Sequence, residues 1–142
     1  MGARRKIRGD SDRYYDWLDM ALMDLQSARI LRAYGGDSDA VVFHCQQTME
    51  KALKGFLLFR TKRHYDGHNI TFLIKQAMRE SWDFSRFLER SAPLGRIYIE
   101  SRYPADYPPE LDEDAADEYY VMAESIYRLA CSKVFMEALP EK

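Results

Sequence analysis

Cysteine is scarce: the 142 residues contain two, Cys45 and Cys131. Two cysteines are too few for a disulfide framework. With no Cys-x-x-Cys to accompany the three histidines, the common zinc modules are excluded as well. Both cysteines stand among apolar residues at helical spacing and are expected to be small core residues. No apolar run approaches the ~20 residues that a membrane span needs. No G-x-x-x-x-G-K-[ST] loop occurs, so any nucleotide site must be built from side chains. Neither sign of charge is in excess: 21 Lys plus Arg against 23 Asp plus Glu leave a net −2. That excludes a uniformly basic nucleic-acid coat protein but leaves room for a local basic patch. Residues 1–10 are basic, yet no apolar stretch follows them, so they do not resemble a secretory signal. Lys6 stands where a myristoylation motif needs Ser or Thr. The expected compartment is the cytoplasm, with no membrane contact.

What is present is an ordinary globular mixture, 46% apolar and 31% charged, too apolar for wholesale disorder. The length favours one domain, residues 1–142, able to bury about 70% of its unfolded surface. The tails 1–9 and 139–142 are expected to fray. No stretch alternates with period two over six residues, so the fold class is all-α, an up-and-down bundle of about five helices. The first is expected over about Asp12–Tyr34, capped within Asp10-Ser11-Asp12 and stopped by Gly35-Gly36. The second is capped by Asp37 or Ser38 and runs to Phe59 or Arg60. Thr61 to His68 is a polar, basic loop. Asn69 caps a third helix to Glu80. A fourth spans Phe84–Arg102 with interruptions at Pro93 and Gly95, and Asp112 caps a fifth, Glu113–Ala138. Trp17, Leu25, Met49, Leu53, Phe56, Tyr120 and Ile126 are expected in the core.

The second helix is the most informative. At 100° per residue, Val42, Cys45, Met49, Ala52, Leu53, Phe56 and Phe59 share one face, the expected core. Phe43, Gln47, Glu50, Lys51, Lys54 and Leu58 share the opposite one. A Glu50–Lys54 pair of ~0.3 kcal/mol with snorkelling lysine stems is the plain reading of that stripe. A second contact surface is the other, because Phe43 and Leu58 would leave apolar area in water. The stretch Lys51 to Arg63 holds five cations and no acid, a patch suited to phosphate.

The run Gln46-Gln47-Thr48-Met49-Glu50-Lys51-Ala52-Leu53-Lys54 resembles the signature of the HEPN family (higher eukaryotes and prokaryotes nucleotide-binding domain), whose core there is Q-Q-x-x-E-K-A-L-K. Ala21, Asp24, Leu25 and Ala28 are similar to the family's A-x-x-D-L-x-x-A opening. Gly67-His68-Asn69-Ile70 followed by Leu73 resembles its G-H-x-L-x-x-L start to the third helix. Arg102-Tyr103-Pro104 resemble its late R-Y-P-D element, with Ala105 placed before the acid, Asp106. The resemblance covers about Trp17 to Val134. It implies a HEPN-type bundle, usually a homodimer and often encoded beside a minimal nucleotidyltransferase.

The function expected from the residues and the resemblance together is a non-catalytic module that binds a nucleotide, pairs with a nucleotidyltransferase, or does both, as a homodimer. Candidate nucleotide-binding residues are Gln47, Glu50, Lys51, Lys54, His68, Tyr98 and Arg102. Lysine and arginine meet phosphate, while Gln47 and Tyr98 can meet base or sugar. His68 could equally serve only to bond the first turn of the third helix, and Arg102 only to close the fourth. No catalytic residue, metal ligand or cofactor is assigned. The alternative is a metal-independent ribonuclease toxin of a toxin–antitoxin pair, with RNA as partner, because one HEPN branch carries Arg, four to six residues, then His. Arg63 and His68 match that string. Fourteen arginines and three histidines give about one such match by chance, and the string precedes helix three instead of lying late in the bundle. Under that alternative Arg102 would supply the cation and His44 or His68 the base.

Overall fold

The computed structural model describes residues 10–93 and 111–138. Among the described residues there are five α-helices: α1 (Tyr14–Ala33), α2 (Ser38–Thr61), α3 (Ile70–Glu80), α4 (Leu88–Ser91) and α5 (Glu113–Ala138). A 3-10 helix, Trp82–Phe87, lies between α3 and α4, and the described residues contain no strand. The fold class is therefore the one the missing alternation predicted. Among the described residues no helix is long and apolar enough to cross a membrane.

Most helix ends follow the local chemistry. Gly35, at φ +73°, turns the chain out of α1, and the Gly36 N–H donates to Leu31 O. Asn69 caps α3 by accepting from the Phe72 N–H at 3.0 Å, and Asp112 caps α5 by accepting from the Ala115 N–H at 2.8 Å. Three expectations fail. α2 begins at Ser38 after Asp37, but Asp37 makes no side-chain cap bond. The first helix begins at Tyr14 after Arg13, with no side-chain cap, because Ser11 instead donates to Asp16 and accepts from the Arg13 N–H. The fourth helix does not run from Phe84: Phe84 and Phe87 are buried from a 3-10 turn, and α4 lasts four residues. Residues 94–102 of the expected fourth helix lie outside the described residues, as do the tails 1–9 and 139–142.

α2 is the centre of the bundle and touches α1, α3 and α5. Helices surrounded in this way lose the distinction between a core face and a wet face. Leu25, Met49, Leu53, Phe56, Tyr120 and Ile126 are buried as expected, but Trp17, Phe59 and Cys131 are only half-buried. The expected outer stripe of α2 is corrected more strongly. Leu58 and Glu50 are buried, and Phe43 is half-buried. The exposed apolar contact surface expected from Phe43 with Leu58 therefore does not exist as such, because Leu58 belongs to the interior.

Two polar clamps close the ends of the bundle. Arg60, at the end of α2, donates from Nη1 to Glu80 O at 2.6 Å, pairs with Glu137 of α5 and stacks over Phe56. Arg32 of α1 pairs with Asp117 of α5 at 2.7 Å and lies over the Tyr120 ring at 4.3 Å. In the second half of α2, Gly55 lets α1 lie directly on that helix. A Cβ at that position would stand 3.2 Å from Leu18 Cδ2, Trp17 Cβ and Tyr14 O. Substituting leucine for Gly55 forces the two helices apart and is expected to destabilise the fold by about 2–3 kcal/mol, read as a lower urea midpoint with an unchanged m-value.

Candidate functional site

α2 ends at Lys62, whose left-handed backbone (φ +63°) lets its N–H donate to Leu58 O at 2.9 Å. The chain then crosses to α3 through a loop, residues 62–69, that takes a second left-handed turn at Gly67 (φ +89°) before Asn69 caps α3. That turn swings His68 back over α2. The imidazole reaches Glu50, with His68 Nδ1 at 2.8 Å from Oε1. A carboxylate only accepts, so the proton of this bond sits on Nδ1. Lys54, one turn along α2, donates to the other oxygen of Glu50 at 3.1 Å. The Glu50 side chain is 8% exposed and that of Lys54 11%. This is a pair within the protein rather than a wet surface bridge. Glu50 thus holds two nitrogen donors in fixed positions at the floor of a concavity.

Trp17 forms one wall. Its indole N–H donates to Ser11 O at 2.9 Å, and Lys54 Nζ lies 6.0 Å from the ring centre, at the outer range of a cation–π contact. The Gly55 crossing is what sets Trp17 this close to Lys54. The loop makes the other wall through His64, Tyr65, Asp66 and Gly67. Together with Asp10, these groups enclose a cleft of about 450 Å³, within the size range of small-ligand sites. His64 is oriented by Asp12 (2.8 Å) and stands 6.3 Å from Trp17, ring to ring.

Of the expected nucleotide-binding residues, the cleft gathers Glu50, Lys54 and His68. Lys51 points elsewhere: it donates to Asp24 Oδ2 at 2.6 Å, while His44 Nδ1 lies 3.0 Å from Oδ1 of the same carboxylate. Gln47 is half-buried on α2 and does not line the cleft. Tyr98 and Arg102 lie outside the described residues. Trp17, His64, Tyr65 and Asp66 line the cleft, although no motif or spacing marks them as site residues. Trp17 reads as core because it falls on the helical period of Leu18, Ala21 and Leu25. The available signal for the rest was an aromatic residue among charges in the short loop just ahead of His68.

Neither cysteine lines the cleft. Burial pushes the Cys45 thiol up to about 12, and burial also raises that of Cys131. Among the described residues no group of three His, Cys, Asp or Glu is placed to hold a metal ion. Arg63 and His68, the Arg–His string of the ribonuclease alternative, line different concavities. His68 belongs to the cleft over Glu50, and Arg63 to a second one between the loop and α3. Glu50 has a structural role besides. Removing it by Glu50→Ala leaves Lys54 buried without its carboxylate and should cost about 3 kcal/mol in chemical denaturation. Exposed Glu118→Ala should change stability by less than about 0.5 kcal/mol.

The fold has counterparts among solved structures. A family model for the HEPN domain matches residues 14–134. The crystal structure of TT1696 from Thermus thermophilus aligns with a TM-score of 0.75 at 29% identity, covering 87% of this chain and 99% of that one. ST0689, an archaeal HEPN homologue, aligns with a TM-score of 0.68 at 29% identity, covering 86% of this chain and 98% of its own. No protein of curated function matches the sequence. With a family match over most of its length and two solved structures that it covers almost end to end, the chain belongs to the HEPN domain family.

Proposed function

We propose that this HEPN domain is a non-catalytic binding module whose cleft over Glu50 takes a nucleotide. The observation that carries the reading is the buried Glu50 carboxylate holding Lys54 and His68 side by side under an aromatic wall. Each part has a chemical counterpart in a nucleotide. Lys54 offers N–H donors to phosphate oxygens, and His68 adds one from Nε2 when its ring carries both protons. Trp17 and Tyr65 offer flat apolar faces to a base. Asp66 and Asp10 offer acceptors to ribose hydroxyls. The cleft is lined by charged groups and imidazoles with Trp17 and Tyr65 as its aromatic faces, a lining suited to a polar, charged ligand with one flat ring. The separation of Arg63 from His68 favours binding over ribonuclease chemistry, which needs a base and a cation at one phosphate.

The test is thermal denaturation and calorimetry with nucleoside monophosphates. A nucleotide at 100 times its Kd adds ~2.7 kcal/mol of stability and raises the melting temperature by several degrees. His68 is more than half exposed, so His68→Ala should leave the fold intact and weaken nucleotide binding about tenfold, the effect of one charge-assisted bond. No shift with any monophosphate, in protein shown to be folded, contradicts the reading.

We also propose that the module self-associates, through α1 and not through the α2 stripe. Met20, Met23, Ser27, Ile30 and Tyr34 recur at alternating three- and four-residue steps and lie within about 80° of arc at 100° per residue. Met20, Met23, Ile30 and Tyr34 are 47%, 59%, 55% and 86% exposed. Three-four spacing is the seam that one helix presents to another. Judged from side-chain size, the four offer roughly 500 Å² per copy, hence about 1,000 Å² across a twofold pair, where specific interfaces begin. Around a twofold axis near half-buried Ser27, Met20 meets the partner's Tyr34 and Met23 the partner's Ile30, with the small serine allowing close approach. Ile30→Glu should convert a dimer to monomer in sedimentation equilibrium without lowering thermal stability of the monomer. A wild-type monomer at tens of micromolar contradicts this surface.

A further inference from the structure

The loop that walls the nucleotide cleft is a ridge with a second concavity on its other side. His64, Tyr65 and Asp66 line both. The second, about 760 Å³, is completed by Thr61 and Arg63 and by Phe72, Gln76, Arg79 and Glu80 of α3. It repeats the composition of the first, an aromatic face beside cations and carboxylates. Phe72 is 44% exposed, unusual for a phenylalanine on a helix with so strong an apolar face, and its ring stands 6.5 Å from Tyr65 at 50°. The partners of the two arginines leave them available. Among the described residues Arg79 reaches only Gln76 Oε1, at 3.5 Å, and the bond recorded for Arg63 is made by its backbone N–H, to Thr61 Oγ1. Neither guanidinium is engaged by a carboxylate there, in contrast to Lys51, Lys54, Arg32 and Arg60.

Resting on the nucleotide reading above, we infer that the ligand is a dinucleotide: two nucleosides joined through phosphate and laid across the ridge, one base in each concavity. Trp17 faces the first base. Phe72 and Tyr65 face the second, since stacking on an aromatic ring suits any base. The phosphate linkage crosses near His64. Arg63 and Arg79 approach it or a terminal phosphate from the far side, where a planar fork can grip two oxygens at once. A mononucleotide would fill the first concavity and leave the second to water. The shared chemistry has two sources, a free dinucleotide or two consecutive residues of a single RNA strand.

Calorimetry with three ligands decides: adenosine monophosphate, the 3′,5′-linked diadenosine ApA carrying a 5′ phosphate, and a hexa-adenylate strand. The dinucleotide is expected to bind at least tenfold tighter than the monophosphate. Phe72→Ala combined with Arg79→Ala, both at exposed or partly exposed positions, should abolish that advantage and leave monophosphate affinity unchanged. His68→Ala should weaken both ligands. A hexa-adenylate that binds as tightly as the dinucleotide or more so supports the inference with RNA as the source. One that is excluded supports it with the free dinucleotide. Monophosphate and dinucleotide binding equally, or a double variant that keeps the tenfold ratio, overturns the inference and leaves the proposed function standing. No binding of either small ligand by folded protein removes both.

Discussion

A carboxylate inside a helical bundle is tolerated only when charged or hydrogen-bonding partners surround it, because its desolvation otherwise costs several kcal/mol. Glu50 imposes that condition on the whole region around it. Lys54 must lie one turn away on the same helix, and the loop after α2 must return far enough for His68 to reach the second oxygen. The left-handed turns at Lys62 and Gly67 and the Asn69 cap serve that return. The close crossing at Gly55 brings Trp17 over Lys54 from the other side. A structural requirement of one buried charge and the assembly of a cleft are thus one problem with one solution.

Helical periodicity carried the fold far because most of the bundle obeys it. α1, α3 and α5 each place small and branched apolar residues on one face, and turn chemistry marked Gly35, Asn69 and Asp112 correctly. Periodicity misled on α2, where it assumes one buried face. α2 touches three other helices, so Leu58 and Glu50 are buried although they stand opposite Met49 and Phe56 on the wheel. The same assumption put Trp17 in the core, when a half-buried indole at the edge of a crossing is what walls a cleft. The cap of α1 failed for another reason. Three cap-capable residues in a row compete, and Ser11 takes Asp16 as its partner instead of a helix N–H.

The candidate site was legible in part. Glu50, Lys54 and His68 came from a family-like run and a family-like helix start, and they converge in space. Lys51, chosen by the same run, faces the Asp24–His44 pair on another side of α2. Three residues along a helix leave Lys51 and Lys54 about 60° apart, enough for Lys51 to meet Asp24 of α1 while Lys54 meets Glu50. A motif read as a string does not distinguish residues that assemble a cleft from residues that clamp α1 to α2. In this domain it contains both.

The two tryptophans give the most direct test of the claim that the Glu50 cleft is the ligand site. Trp17 walls the cleft with its indole N–H bonded to Ser11 O, while Trp82 stands 72% exposed in the 3-10 helix and lines neither concavity beside the loop. In a proton–nitrogen correlation spectrum of labelled protein, the two indole signals report the two places separately. Titration with adenosine monophosphate is expected to move the Trp17 indole signal and the backbone signals of residues 64–68, and to leave the Trp82 indole signal where it is. Saturable shifts confined to Trp82 or to helices away from the loop, or none at millimolar nucleotide, would contradict the account.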